Sequence, residues 1–285
     1  MRESGFHLAL RGEVYLALRS RAVRAVLLIS MALAAGRVAL GKLAAVARQV
    51  VVAAGGGAAA PPDTSGYGPF ADGIGAGLMI GFLLLLALSA AGIASDRDLG
   101  VIRIPLTRRV SRPALVLAKF AGLNLIGLLL VCAVVLASAA TTSLFYSFTP
   151  VAEDGYVIFP AAEIQREIAL GLGLSALCLP AASALGLLVS ASARSATEAV
   201  AVALPLVLAF DVLKGLLGKA GGWFFLAFQP TLLDRSYLGE AAKLARGFSD
   251  AGFPDRLLRL NLAVPLPEAA VLLGLALLIV RGRKM

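Results

Sequence analysis

GIGAGLMIGFLLLLALSAAGIAS, residues 73–95, runs from one glycine-rich end to the other without a charge. A helix rises ~1.5 Å per residue, so a run of this length reaches across the ~30 Å hydrocarbon core of a bilayer. Gly73, Gly77 and Gly81 recur every fourth residue and lay a strip of bare backbone along one helix face, where a neighbouring helix can pack closely. The stretch reads as a membrane span.

Working outward, blocks of similar character lie at about 25–47, 114–143, 166–190, 196–217 and 264–280. The chain of 285 residues is 59% hydrophobic and 15% charged, with a mean hydropathy of +0.89. Soluble domains hold ~45–50% apolar and ~25% charged residues. The sequence therefore predicts an all-α polytopic membrane protein of about six transmembrane helices. Residues 1–24 precede them as an amphipathic interfacial helix, with Leu10, Val14 and Leu18 at four-residue spacing among Arg2, Arg11, Arg19, Arg21 and Arg24. Residues 25–285 form a single six-helix transmembrane domain.

The connections carry their own signals. GGGAAAPPDTSGYGP, residues 55–69, breaks any helix, and residues 144–163 form a loop without Lys or Arg. Pro113 suits the first turn of a helix, whereas Pro180 and Pro205 fall inside spans and predict kinks. Residues 219–263 alternate apolar and polar pieces and read as a broken-helix segment on the outer side. Counting basic residues in the short loops places both termini in the cytoplasm, the expected setting being the inner (plasma) membrane. The N-terminal stretch lacks a cleavable signal pattern.

Several functional classes fall to this inventory. The formal charge of +9 sits in short flanks between apolar blocks, where it reads as a topology signal and not as a nucleic-acid surface. Cys132 and Cys178 lie inside apolar blocks, so no disulfide framework is built from them. The sole histidine, His7, belongs to the amphipathic helix, which removes His-based triads and zinc sites from the bundle. The four methionines and two cysteines form no copper-binding cluster by spacing. GRVALGKL, residues 36–43, has the outline of a phosphate-binding loop, but Leu43 stands where Ser or Thr would hold Mg²⁺ and the run lies in a span. An ATPase, if used, is another chain.

Charges inside spans are the remaining candidates. One at mid-membrane costs ~2.5–3.5 kcal/mol on the insertion scale, so each needs a reason. Arg37 and Lys42 in the first span either line a cavity for an anionic substrate, or Arg37 snorkels to the surface and Lys42 lies already beyond the lipid. Asp211 and Lys214, spaced i, i+3, are either part of a translocation path or a self-neutralised pair near the interface.

The most informative polar stretch is SDRDLGVIRIPLTRRVSRPALVLAKFAGL, residues 95–123, on the cytoplasmic side between the second and third spans. Asp96 and Asp98 open it, Gly100 and the apolar turn Ile102–Leu106 follow, then Val110-Ser111-Arg112, with Lys119 downstream. This order resembles the coupling region of ABC-2 type transporter permeases, in which an acidic residue, a glycine, a hydrophobic turn, a "PvsR" element and a lysine succeed one another. Val101 stands where that family usually has Thr, and the proline before the element is missing. The rest of the chain is similar to the same family: an amphipathic start, six spans, the SxxARS turn at Ser190–Ser195 and a broken segment before the last span. Residues 209–211, AFD, with 229–238, QPTLLDRSYL, are more narrowly similar to the permease of the nitrous-oxide reductase maturation transporter.

What the resemblance implies is gating and not bond chemistry. Such permeases form homodimers or heterodimers and dock a separate ATPase subunit that carries ATP and Mg²⁺, no cofactor being held in the permease itself. Export is the direction it implies. The ATPase-coupling residues would be Asp96, Asp98, Gly100, Arg103, Arg109, Ser111 and Arg112, in a segment spanning 96–112. Arg37, Asp211 and Lys214 would be candidates for the translocation path. Two other classes compete. An ion-coupled secondary transporter would show repeated halves, which the sequence does not display. A membrane scaffold would recruit a cytoplasmic partner through the same basic loop.

Overall fold

The computed structural model describes residues 5–54, 65–98, 111–153, 156–248, 252–253 and 255–282. Helix α1 (Gly5–Arg19) stops at Ser20, whose hydroxyl accepts the Val23 amide at 3.4 Å, and α2 (Arg21–Ala54) begins at once. There follow α3 (Tyr67–Asp98), α4 (Arg112–Phe145), an antiparallel hairpin of β1 (Val151–Glu153) and β2 (Tyr156–Phe159), α5 (Ala161–Leu177), α6 (Leu179–Ser192) and α7 (Ala196–Leu216). Two 3-10 turns, Gly218–Trp223 and Phe225–Ala227, lead to α8 (Tyr237–Ala245), α9 (Asp255–Ala263) and α10 (Pro265–Gly282).

Among the described residues six helical stretches are long and apolar enough to cross a membrane: Arg21–Val52, Tyr67–Asp98, Arg112–Phe145, Ala161–Ser192, Ala196–Leu216 and Asp255–Gly282. They alternate in direction. One end of the bundle thus carries α1, the close of α3, the start of α4 and the turn between α6 and α7. The opposite end carries the hairpin, the 3-10 turns and α8. Exposed Trp223 and Tyr156 mark this hairpin end, as aromatic side chains do at the edge of the hydrocarbon layer.

Helix α3 is the hub, packed against α2, α4, α6, α7 and α8. Its glycine strip explains how. A Cβ on Gly77 would stand 2.7 Å from Val134 of α4 and 2.9 Å from Ala34 of α2, and one on Gly81 would stand 2.8 Å from Leu130. On Gly73 it would meet Val38 at 2.7 Å and the Ala34 carbonyl at 3.0 Å. Two neighbouring helices therefore rest on bare α3 backbone, the arrangement through which helices associate where lipid offers no hydrophobic drive.

Pro180 acts one turn ahead of itself. It is the second residue of α6 and has no N–H to close the preceding turn, so the helix breaks at Cys178, whose amide donates to the Ser175 carbonyl at 3.2 Å. Helix α7 continues through Pro205. Residues 144–163, which read as a loop, contain the hairpin. Its second strand, Tyr156-Val-Ile-Phe159, is rich in the branched and aromatic residues that suit extended backbone.

Candidate functional site

Three consecutive charged residues close α3, and each addresses a different helix. Successive residues on a helix turn by about 100°, so Asp96, Arg97 and Asp98 face three directions. Asp96 Oδ2 lies 2.8 Å from Lys119 Nζ of α4, and the same ammonium lies 3.0 Å from Glu13 Oε1 of α1. Arg97 donates to the carbonyls of Ser190 at 2.9 Å and Ala193 at 2.7 Å, placing a cation at the C-terminal end of α6, where the helix dipole favours it. Asp98 Oδ2 accepts the Ala196 amide at 2.9 Å and supplies an anion to the start of α7.

The same corner is reinforced by caps. Ser195 accepts the Glu198 amide at 3.1 Å, while Glu198 reaches back to the Arg194 amide at 2.8 Å, so the SxxARS turn ends in a reciprocal cap. Ser190 Oγ accepts the amides of Ile93 and Ala94 at 3.0 and 2.9 Å, tying α6 to α3. Gly186 lets the two helices approach, since a Cβ there would fall 2.7 Å from Ser89 Cβ. On the far side of the segment, Ser111 is the N-cap of α4, its hydroxyl accepting the Ala114 amide at 3.3 Å, and Arg112 opens the helix. Of the residues singled out for ATPase coupling, Asp96, Asp98, Ser111 and Arg112 thus frame the segment. Gly100, Arg103 and Arg109 lie outside the described residues.

Lys119 is the pivot. Only 10% of its side chain is exposed, against two carboxylates from helices far away in sequence. Its signal was visible as the one charge deep in the apolar run after Pro113. Glu13 was visible as an acid among arginines. Neither residue says by itself that they meet.

At the hairpin end Asp72 of α3 receives two arginines. Arg37 Nη2 of α2 lies 3.2 Å from Oδ2, and Arg246 Nη2, just past α8, lies 2.7 Å from Oδ1. Arg37 is therefore ion-paired, with half its side chain still exposed. Lys42 stands over the Tyr146 ring, 5.0 Å from its centroid.

Asp211 and Lys214 form a buried ion pair at 2.7 Å, and Lys214 also donates to Thr231 Oγ1 at 2.5 Å. The Leu233 amide reaches Asp211 Oδ2 at 3.4 Å. The pair thus pins the segment 229–233 onto α7, so AFD and QPTLLDRSYL, separate in sequence, are joined in space. They border a cavity of about 30 Å³ lined also by Gln229 and Phe82. Beyond it, desolvation of the carboxyl holds Asp234 above the usual carboxylate range, although the residue as a whole is exposed and the Ser236 amide donates to it at 2.7 Å. Burial, and a bond to the Glu167 carboxylate, push the Tyr237 phenol up.

Among the described residues no group of three or more His, Cys, Asp or Glu side chains is placed to hold a metal ion. The run 36–43 is helical within α2, so its amides are committed to the helix and cannot cradle phosphate. What the arrangement can do is mechanical: α3 leads into the polar stretch at a corner where three adjacent side chains tie α4, α6 and α7 directly and α1 through Lys119.

No curated protein matches the sequence significantly. The family described as ABC-2 family transporter protein matches residues 11–239, which include the amphipathic helix from its second turn, the first five spans, the framed polar segment and the start of α8. The chain belongs to the ABC-2 transporter family, as a multi-pass membrane permease component of an ABC transporter that partners an ABC ATPase.

Proposed function

We propose that the chain is the permease of an ATP-driven exporter in the inner (plasma) membrane, with both termini cytoplasmic and residues 96–112 contacting a separate ATPase that binds ATP and Mg²⁺. The observation that carries this reading is the Asp96-Arg97-Asp98 triplet. Force applied to the segment beyond Asp98 acts on the last turn of α3. From there it passes to α4 and α1 through Lys119, to α6 through Arg97 and to α7 through Asp98. Closure of the ATPases becomes a shared displacement of helices because packed elements move as rigid bodies between discrete arrangements.

Two permease chains, a second copy of this one or a different permease, form the working unit. The apolar faces of α2, α4 and α7 carry exposed Leu28, Leu40, Leu136, Val212 and Leu216, on which a second permease can pack as lipid does. Translocation then runs along the faces the two chains share, with Arg37 at its hairpin end and the Asp211–Lys214 pair holding the segment that caps it.

The test is purification of the tagged full-length chain from its host in mild detergent, followed by measurement of ATP hydrolysis. A stoichiometric ATPase is expected, its activity falling when Arg109 and Arg112 are reversed in charge while the chain still inserts. Absence of any ATPase on an intact, folded chain overturns the coupling assignment.

A further inference from the structure

At the hairpin end a cavity of about 1110 Å³ opens between the close of α4, the β-hairpin and the residues just past α8. Small-molecule sites occupy ~300–1,000 Å³, so this one accommodates a large ligand. Among the described residues its lining is one-sided in charge: Lys42 and Arg246 line it, and no described carboxylate does. Hydroxyls of Ser143 and Tyr146 stand beside them, while Leu144 and Val157 provide apolar walls that are 78% and 59% exposed.

Among the described residues neither cation is used up by its neighbours. Arg246 is aimed by its bond to Asp72 Oδ1, and that bond occupies one of the five donors of a guanidinium. Among the described residues Lys42 has an aromatic ring and no carboxylate as its partner. A cation–π contact holds an ammonium in place and leaves its three donors available. Cationic donors at one side of a cavity and exposed aliphatic side chains at the other match a molecule built the same way.

We propose that this cavity binds an anionic amphiphile, its phosphate or carboxylate head between Lys42 and Arg246 and its hydrocarbon chain along Leu144 and the hairpin. The head gains charge-assisted hydrogen bonds, which an uncharged or zwitterionic head gains less of. The chain replaces water on aliphatic surface that is otherwise exposed at the membrane edge. The proposal needs only that the helices span a bilayer, so it stands or falls separately from the ATPase assignment.

Native mass spectrometry of the purified full-length chain tests it, with phosphatidylglycerol, phosphatidylcholine and dodecyl phosphate as probes. Phosphatidylglycerol is expected to be held in preference to phosphatidylcholine, and Lys42→Gln to weaken it about tenfold, the loss of one charge-assisted contact. Arg24→Gln, a basic residue at the opposite end of the bundle, is expected to leave it unchanged. Phosphatidylglycerol retained from the host membrane identifies bilayer lipid as the occupant. A chain that is bare as purified but takes up dodecyl phosphate with the same Lys42 dependence identifies a free amphiphile. Equal retention of the two phospholipids, equal loss in both variants, or uptake of no probe overturns the proposal.

Discussion

The two ends of the bundle carry ion triads of opposite sign. At the α1 end one cation, Lys119, sits between Glu13 and Asp96, with a tenth of its side chain exposed. At the hairpin end one anion, Asp72, 18% exposed, sits between Arg37 and Arg246, whose side chains are 51% and 43% exposed against 21% and 26% for Glu13 and Asp96. The difference is one of dielectric. A charge taken out of water holds its partners at a high cost of separation, whereas a half-solvated pair can part and re-form cheaply. The α1-end triad is therefore a rivet and the hairpin-end triad a clasp.

Removing the central charge from each is the sharpest way to break that contrast. Lys119→Met leaves two carboxylates facing each other in a poorly solvated corner and is expected to cost roughly 3–5 kcal/mol, read as a fall in thermal unfolding temperature in detergent. It should also abolish ATPase stimulation under the coupling reading. Asp72→Asn, by contrast, is expected to cost about 0–1 kcal/mol in the same assay, its arginines turning to solvent. Equal losses in the two variants would erase the distinction between rivet and clasp.

Between these extremes lies the glycine strip that runs along α3 from one end toward the other. Gly77→Val puts methyl groups where a single Cβ already stands 2.7 Å from Val134, and overpacking of this kind costs roughly 1–3 kcal/mol. The same unfolding assay places it, and a loss smaller than that of Asp72→Asn would mean that α2 and α4 can slide off the strip.

The smallest effect concerns pH at the hairpin end. The Asp234 carboxyl is held above its usual range by desolvation against its own turn, although the residue is exposed overall, so the folded chain holds that proton more tightly than the unfolded chain. Its contribution is full below the ordinary carboxylate value and is lost as pH rises through the raised one. Asp234→Asn should flatten the dependence of unfolding temperature on pH over that interval, and an unaltered profile would show that another group is responsible.

Much of the bundle was legible because span length is a local property, imposed by bilayer thickness on twenty or so consecutive residues. Pro180 announced the break that appears at Cys178, since a missing N–H acts within one turn. The hairpin at Val151–Phe159 was missed: three- and four-residue strands carry little periodicity, and the polar stretch around them reads as loop. The lone charges Arg37, Asp211 and Lys214 stood out as requiring explanation. The bond between Asp211 and Lys214 could be drawn from their i, i+3 spacing alone.

Sequence by itself thus determined that this chain is a six-span helical membrane protein, and its polar segment pointed to the family. Tertiary structure alone decided which charges meet. Arg246 finds Asp72 across 174 residues, Asp98 caps a helix 98 residues away, and Lys119 joins helices on either side of α3. An apolar run satisfies its surroundings wherever it lies in the bilayer, but a buried charge is satisfied only by a particular neighbour, and neighbours are set by how the helices pack.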